Sequence, residues 1–116
     1  MIKNLLILYL FIFLISCSDK PKEVVSKIES SDLEQQMIEA YNAGVVALED
    51  GDIFFATKKF NEAELLYPQS DWAPRASLMA AYAYWTQAYY KNSVEELRRF
   101  IKVYSTSKNL DYAYYL

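Results

Sequence analysis

The side chains that most often do chemistry are scarce in this sequence. It has no His and one Cys, Cys17, which removes the usual zinc sites, any internal disulfide, and every triad or dyad with imidazole as its base. Paired carboxylates remain as a route to hydrolysis of a cell-wall glycan, and Asp50 and Asp52 are the pair whose spacing invites it. They flank Gly51 at a helix turn, where short acidic side chains act as caps and keep the turn in water. No enzyme is expected from them. Phosphate binding needs clustered cations. Arg98, Arg99 and Lys102 come nearest, but Glu95 and Glu96 share their helical face, so the group reads as a solvated surface. Neither a nucleic-acid partner nor a metal or organic cofactor is expected.

Cys17 acquires a chemistry from what precedes it. Met1-Ile2-Lys3-Asn4 is a short cationic start, and Leu5 to Ile15 is an unbroken apolar run of eleven residues. At about 1.5 Å per residue the run covers about 16 Å, against roughly 30 Å of hydrocarbon for a spanning helix. It has the length of a signal-peptide core. Leu14-Ile15-Ser16-Cys17 resembles the bacterial lipobox. That resemblance implies a signal peptide over 1–16, cleavage before Cys17, and a cysteine carrying S-diacylglycerol and an N-acyl chain such as palmitate. Each buried CH₂ contributes about 0.8 kcal/mol, so several chains hold a protein that one would release. Lipoprotein sorting, again by resemblance, retains in the inner membrane a chain with Asp directly after the modified Cys. Here that position is Ser18, so the expected address is the outer membrane, on its periplasmic face. Residues 17–30, with Lys20-Pro21-Lys22 and few large apolar groups, read as a flexible tether.

The rest must fold, and as helices. Of 116 residues 53% are apolar and 23% charged, the composition of one ordinary domain. With 2 Gly and 3 Pro the chain lacks the turn residues of an all-β fold. Net charge is −3, and setting aside the first sixteen residues with their single Lys leaves 11 basic against 15 acidic groups. Ser31-Asp32-Leu33-Glu34 has the form of a capping box, predicting a helix from there to about Asp50 with Ile38, Tyr41, Val45 and Leu48 on one stripe. Gly51 ends it. Asp52 caps a second helix carrying Phe55, Ala56, Phe60, Ala63 and Leu66, which stops at Tyr67-Pro68.

The pattern recurs. With Met37 as the first position of a 34-residue unit, Gly44, Ala56, Phe60, Ala63 and Pro68 fall on five signature positions of the tetratricopeptide repeat. Small residues there let two antiparallel helices touch, Phe fills the gap to the next unit, and Pro ends the hairpin. A second unit starts at Pro74 and fits more loosely, with Ala81, Tyr84, Ser93 and Leu97 in register but Phe100 and Ser105 where a small residue and Pro belong. Its second helix is expected to be capped at Asn92 and to end near Tyr104. The offset from Gly44 to Ala81 and from Ala56 to Ser93 is 37 residues in both cases, so the connection around Gln69 to Ala73 is extended. The expected fold is an all-α tetratricopeptide-repeat solenoid: a first repeat over 31–69, a second over 70–108, and the truncated first helix of a third repeat over 109–116. Because solenoids bury their apolar faces between neighbours, the sequence reads as the front part of a longer product, with Tyr112, Tyr114 and Tyr115 awaiting further helices.

Tyr67-Pro68-Gln69-Ser70-Asp71-Trp72-Ala73-Pro74-Arg75-Ala76, followed by Leu78-Met79-Ala80-Ala81-Tyr82-Ala83-Tyr84, resembles the BamD family of outer-membrane β-barrel assembly lipoproteins, and Asp111 to Leu116 resembles the start of that family's third repeat. The resemblance implies a scaffold that binds a BamA-like barrel-forming subunit and other subunits of the assembly complex, and that helps receive unfolded outer-membrane proteins. In that family the amino-terminal repeats are associated with substrate and the carboxy-terminal repeats with other subunits.

A binding role also follows from the repeat geometry. First helices line a concave groove through positions 2, 5, 9 and 12: Ile38, Tyr41, Val45 and Leu48, then Arg75, Leu78, Tyr82 and Trp85. The result is an aromatic, mostly neutral trough suited to apolar and aromatic segments of unfolded polypeptide. Tyr82, Trp85 and Tyr89 could equally pack against a following repeat, although 11 Tyr are more than a core needs. Arg75 is the only group at these positions that could clamp a peptide carboxylate. The competing reading is a periplasmic repeat protein that coordinates cell division or peptidoglycan synthesis with envelope constriction.

Overall fold

The computed structural model describes residues 22–116, with side chains from residue 32 onward. The expected signal peptide, the lipobox-like run and Cys17 lie outside the described residues. The chain forms α1 (Lys22–Glu49), α2 (Ile53–Leu66), α3 (Trp72–Thr86), α4 (Tyr90–Val103) and α5 (Leu110–Tyr115), with no strand among the described residues. Each helix packs on the next, and α5 touches α4 more lightly than the earlier pairs touch each other. Short connections make α1–α2 and α3–α4 antiparallel hairpins.

Small residues set the distance within the first hairpin. A β-carbon on Gly44 would meet the Phe60 ring at 2.8 Å, so glycine is what lets α1 reach α2 over a wholly buried phenylalanine. Ala56 and Ala63 are equally buried. Around them Ala47, Ile53, Phe60, Ala80 and Ala83 form one cluster, and Met37, Ala40, Ala63 and Ala76 a second. The second hairpin repeats the scheme, with Leu78, Ala81, Leu97, Phe100 and Ala113 in a third cluster. It departs from the signature at the position matching Ala63, where Phe100 is wholly buried in this third cluster.

The turns follow local chemistry. Gly51 at φ +80 ends α1, with Asp52 N–H donating to the Ala47 carbonyl at 2.9 Å. Asp52 then caps α2 by accepting from the Phe55 N–H at 3.1 Å. Two expected boundaries are corrected. First, α1 is already helical at Lys22, so Ser31 lies inside it and not at its cap, and the part of the tether from Lys22 to Ser30 is helical. Between Lys22 and Ser31 there is neither Gly nor Pro, and nothing in that stretch stops a helix. Second, α4 begins at Tyr90, not at Asn92, and its N-cap Tyr89 makes no side-chain cap bond. The turn at Gln87-Ala88 feeds the helix through backbone bonds, Tyr89 N–H to the Tyr84 carbonyl and Ser93 N–H to the Tyr89 carbonyl, both 3.0 Å. Ala88 adopts φ 61 to make it, a left-handed conformation that glycine usually supplies.

Candidate functional site: an aromatic trough beside a polar knot

The trough is built from α1 and α3. Tyr41 of α1 meets Phe60 edge to face at 5.4 Å and Trp72 at 5.3 Å. The Arg75 guanidinium lies 5.0 Å from the Trp72 ring centre, a cation–π placement that leaves its N–H groups facing solvent. Burial pushes the Tyr41 phenol above its ordinary pKa, with Arg75 opposing that shift. Met37, Ile38, Tyr41, Asn42 and Trp72 enclose an apolar cleft of about 160 Å³, comparable with the about 150 Å³ of an apolar cavity that accepts benzene. Further along α3, Tyr82 and Trp85 stack at 5.9 Å with 24° between their planes.

The expected groove residues divide. Ile38 and Trp85 are 44% and 45% exposed, Arg75 is exposed, and Tyr82 is half-buried. Tyr41, Val45 and Leu48 are partly buried against the core. Leu78 is corrected out of the groove: it is 6% exposed, packed with Leu97 and Phe100. It matches Tyr41 at the 37-residue offset, and both lean on the same second-helix position, Phe60 for Tyr41 and Leu97 for Leu78. That position is core, and only the length of a tyrosine carries its polar tip outward. Trp72 was missed as a lining residue; its signal in the sequence is the spacing of three from Arg75, which brings ring and cation together on one helical face.

A second constellation joins the hairpins. Glu64 of α2, 5% exposed, accepts two bonds from Arg99 of α4, Nη1 at 2.8 Å and Nη2 at 2.6 Å. The same Nη2 donates to Ser77 Oγ of α3 at 2.9 Å, and the Tyr104 hydroxyl donates to Glu64 Oε1 at 2.7 Å. Arg99 Nε reaches Glu96 at 3.1 Å. The Glu64 hydrogen bonds hold the Arg99 guanidinium above its usual pKa, against the opposing effect of burial. Burial, then the bond to Glu64 and its charge, pushes the Tyr104 phenol well up while Arg99 opposes. The solvated-surface reading is thus corrected for Arg99, whereas Arg98 and Lys102 are exposed as expected. The Tyr104 hydroxyl and all three Arg99 nitrogens donate within the fold, so the knot holds structure.

The profile of the outer-membrane lipoprotein family YfiO matches residues 33–116. The chain belongs to that family. Two curated relatives, each named outer membrane protein assembly factor BamD, agree. The protein of Caulobacter vibrioides is 30% identical over 100 residues, 86% of this chain and 32% of the relative. That of Pasteurella multocida is 32% identical over 88 residues, 75% of this chain and 34% of the relative. The chain therefore spans about a third of the length of the curated relatives it matches. No solved structure matches at a significant level. Membership of the YfiO family accords with the all-α helical-repeat fold.

Proposed function

We propose that this chain is a lipid-anchored repeat scaffold of the outer-membrane β-barrel assembly complex, held on the periplasmic face by acyl chains on Cys17. It receives unfolded barrel proteins and works with a BamA-like barrel subunit and the other subunits of the complex. Both matched relatives are named assembly factors for outer-membrane proteins, and no catalytic step is assigned. The observation that carries the reading is the trough. Ile38, Tyr41 and Trp72 frame a cleft of one ring's size with Arg75 beside it, and Tyr82 and Trp85 stack as a second aromatic pair further along α3. An unfolded barrel strand alternates apolar and aromatic side chains, which stacking and burial can hold without a fixed sequence.

Three measurements test this. Purification of the full-length protein from envelopes is expected to recover a barrel-forming subunit; recovery of division or wall-synthesis proteins instead overturns the reading. Substituting Tyr82 and Trp85 by Ala is expected to weaken photocrosslinking to nascent barrel peptides, and unchanged crosslinking removes the trough from the account. Cys17→Ser is expected to abolish palmitate labelling and to release the body from the outer membrane.

A further inference from the structure

A second aromatic surface sits where α1 turns into α2 and α3 into α4. Phe54 meets Tyr89 edge to face at 5.3 Å and Tyr84 at 6.2 Å, and Tyr84 and Tyr89 lie 6.4 Å apart. Rings packed in this way usually close a core. Here Phe54 stays 59% exposed, Tyr89 42%, and neighbouring Tyr90 61%. The left-handed Ala88 sits in the turn that delivers Tyr89 to the cluster. Large rings with open faces, already ordered by one another, are what a protein presents to a partner at low entropic cost.

Charge decides which partner. Glu49, Asp50 and Asp52, in the turn that leads to Phe54, are exposed; Asp52 caps α2, and none of the three forms an ion pair among the described residues. No basic residue occupies the last turn of α1; its negative end is offset in part by the positive ends of α2 and α4, which open at the same edge, but three carboxylates against the single exposed Lys91 after Tyr90 leave the edge net negative. A negative potential over open ring faces complements a guanidinium, which stacks on the rings while its N–H groups reach carboxylate oxygens. We infer that this edge is a docking surface for a basic segment of a partner polypeptide, with arginine laid on Phe54, Tyr89 and Tyr90 and held by Glu49 and Asp50. The 28 residues of α1, rising about 1.5 Å each, put the edge about 42 Å from Lys22. It is thus at the end of α1 opposite Lys22, and a lipid anchor at Cys17, five residues before Lys22 in sequence, would enter at the other end, which favours a polypeptide over lipid headgroups. The inference goes beyond the trough and rests on the lipid anchor only for that preference.

The test is an NMR titration of the mature full-length chain in micelles with acetyl-Arg-Leu-Arg-Leu-Arg-amide as probe. Amide shifts are expected at residues 49–55 and 84–91, weakening as salt rises. The double variant Glu49→Gln/Asp50→Asn is expected to bind at least about tenfold more weakly, and Tyr90→Ala about fivefold. Because the double variant relieves an unfavourable helix end, its Tm should hold or rise, so its loss of binding cannot be loss of fold. Equal shifts from acetyl-Glu-Leu-Glu-Leu-Glu-amide, undiminished binding by both variants, or shifts produced by phosphatidylethanolamine vesicles and not by the peptide would each overturn the inference. Failure of the trough reads out separately, at Ile38, Tyr41 and Trp72 with barrel-derived peptides.

Discussion

The knot around Glu64 and the trough around Trp72 use the same kinds of group, an arginine beside a tyrosine, to opposite ends. In the knot, Arg99 is turned inward and its N–H groups close on Glu64, Ser77 and Glu96. In the trough, Arg75 lies on a ring face and has no carboxylate within reach among the described ion pairs. What separates them is the buried acid. A carboxylate out of water draws every nearby donor onto itself, whereas an aromatic face steadies a cation and leaves its hydrogen-bonding capacity unspent. One arginine is therefore part of the architecture and the other is available to a ligand.

The comparison breaks most sharply at Arg99. Arg99→Ala leaves Glu64 buried without its counter-charge, and stability in urea is expected to fall by about 3 kcal/mol, the low end for a broken buried pair, because the arginine side chain is itself 40% exposed. Next comes the trough, where the contrast is in the readout. Tyr82→Ala with Trp85→Ala is expected to reduce peptide binding about tenfold, which is about 1.4 kcal/mol, while urea midpoints move far less than for Arg99→Ala. Equal losses of stability would mean that the two regions do not differ in kind.

A smaller effect separates them by pH. Burial and Glu64 keep the Tyr104 phenol protonated above the ordinary value of 10.0 in the fold, whereas the unfolded chain ionises there. Above that pH the unfolded state holds fewer protons, so stability is complete below pH 10 and declines as pH rises beyond it. Tyr104→Phe should flatten the decline in a denaturation series taken from neutral to alkaline pH. The smallest effect is expected from Lys59→Ala. Its bridge to Glu62 spans one turn, with side chains 25% and 42% exposed, and its loss should shift stability by less than about 0.5 kcal/mol.

Much of the fold was legible because its determinants are local. Gly44, Ala56, Phe60 and Ala63 sit at spacings that only a helical hairpin uses, and their sizes report how closely the helices approach. Asp52 after Gly51 announces both a stop and a start. The misreadings divide: two expected caps yield to the local backbone, and one expected surface cation yields to a partner distant in sequence. Ser31-x-x-Glu34 looks like a cap, but nothing before it breaks the helix. Asn92 looks like a cap, but a backbone turn through Ala88 begins α4 earlier. Arg99 has an adequate partner in Glu96 three residues away, and nothing nearby indicates Glu64, 35 positions back. At the site, Arg75, Tyr82 and Trp85 follow from the repeat register. Leu78 shares that register but is too short to leave the core.

Glu64 also limits how far these hairpins behave as modules. Moving each member of the knot by the 37-residue offset exchanges Glu64 for Ile101, Arg99 for Glu62, Ser77 for Ala40 and Tyr104 for Tyr67. The guanidinium is thus replaced by an acid and the buried acid by a hydrocarbon. Duplicating, shuffling or transplanting one unit would strand a carboxylate in the interior, so the order of the hairpins is written into their chemistry and a lineage carrying this knot inherits both together.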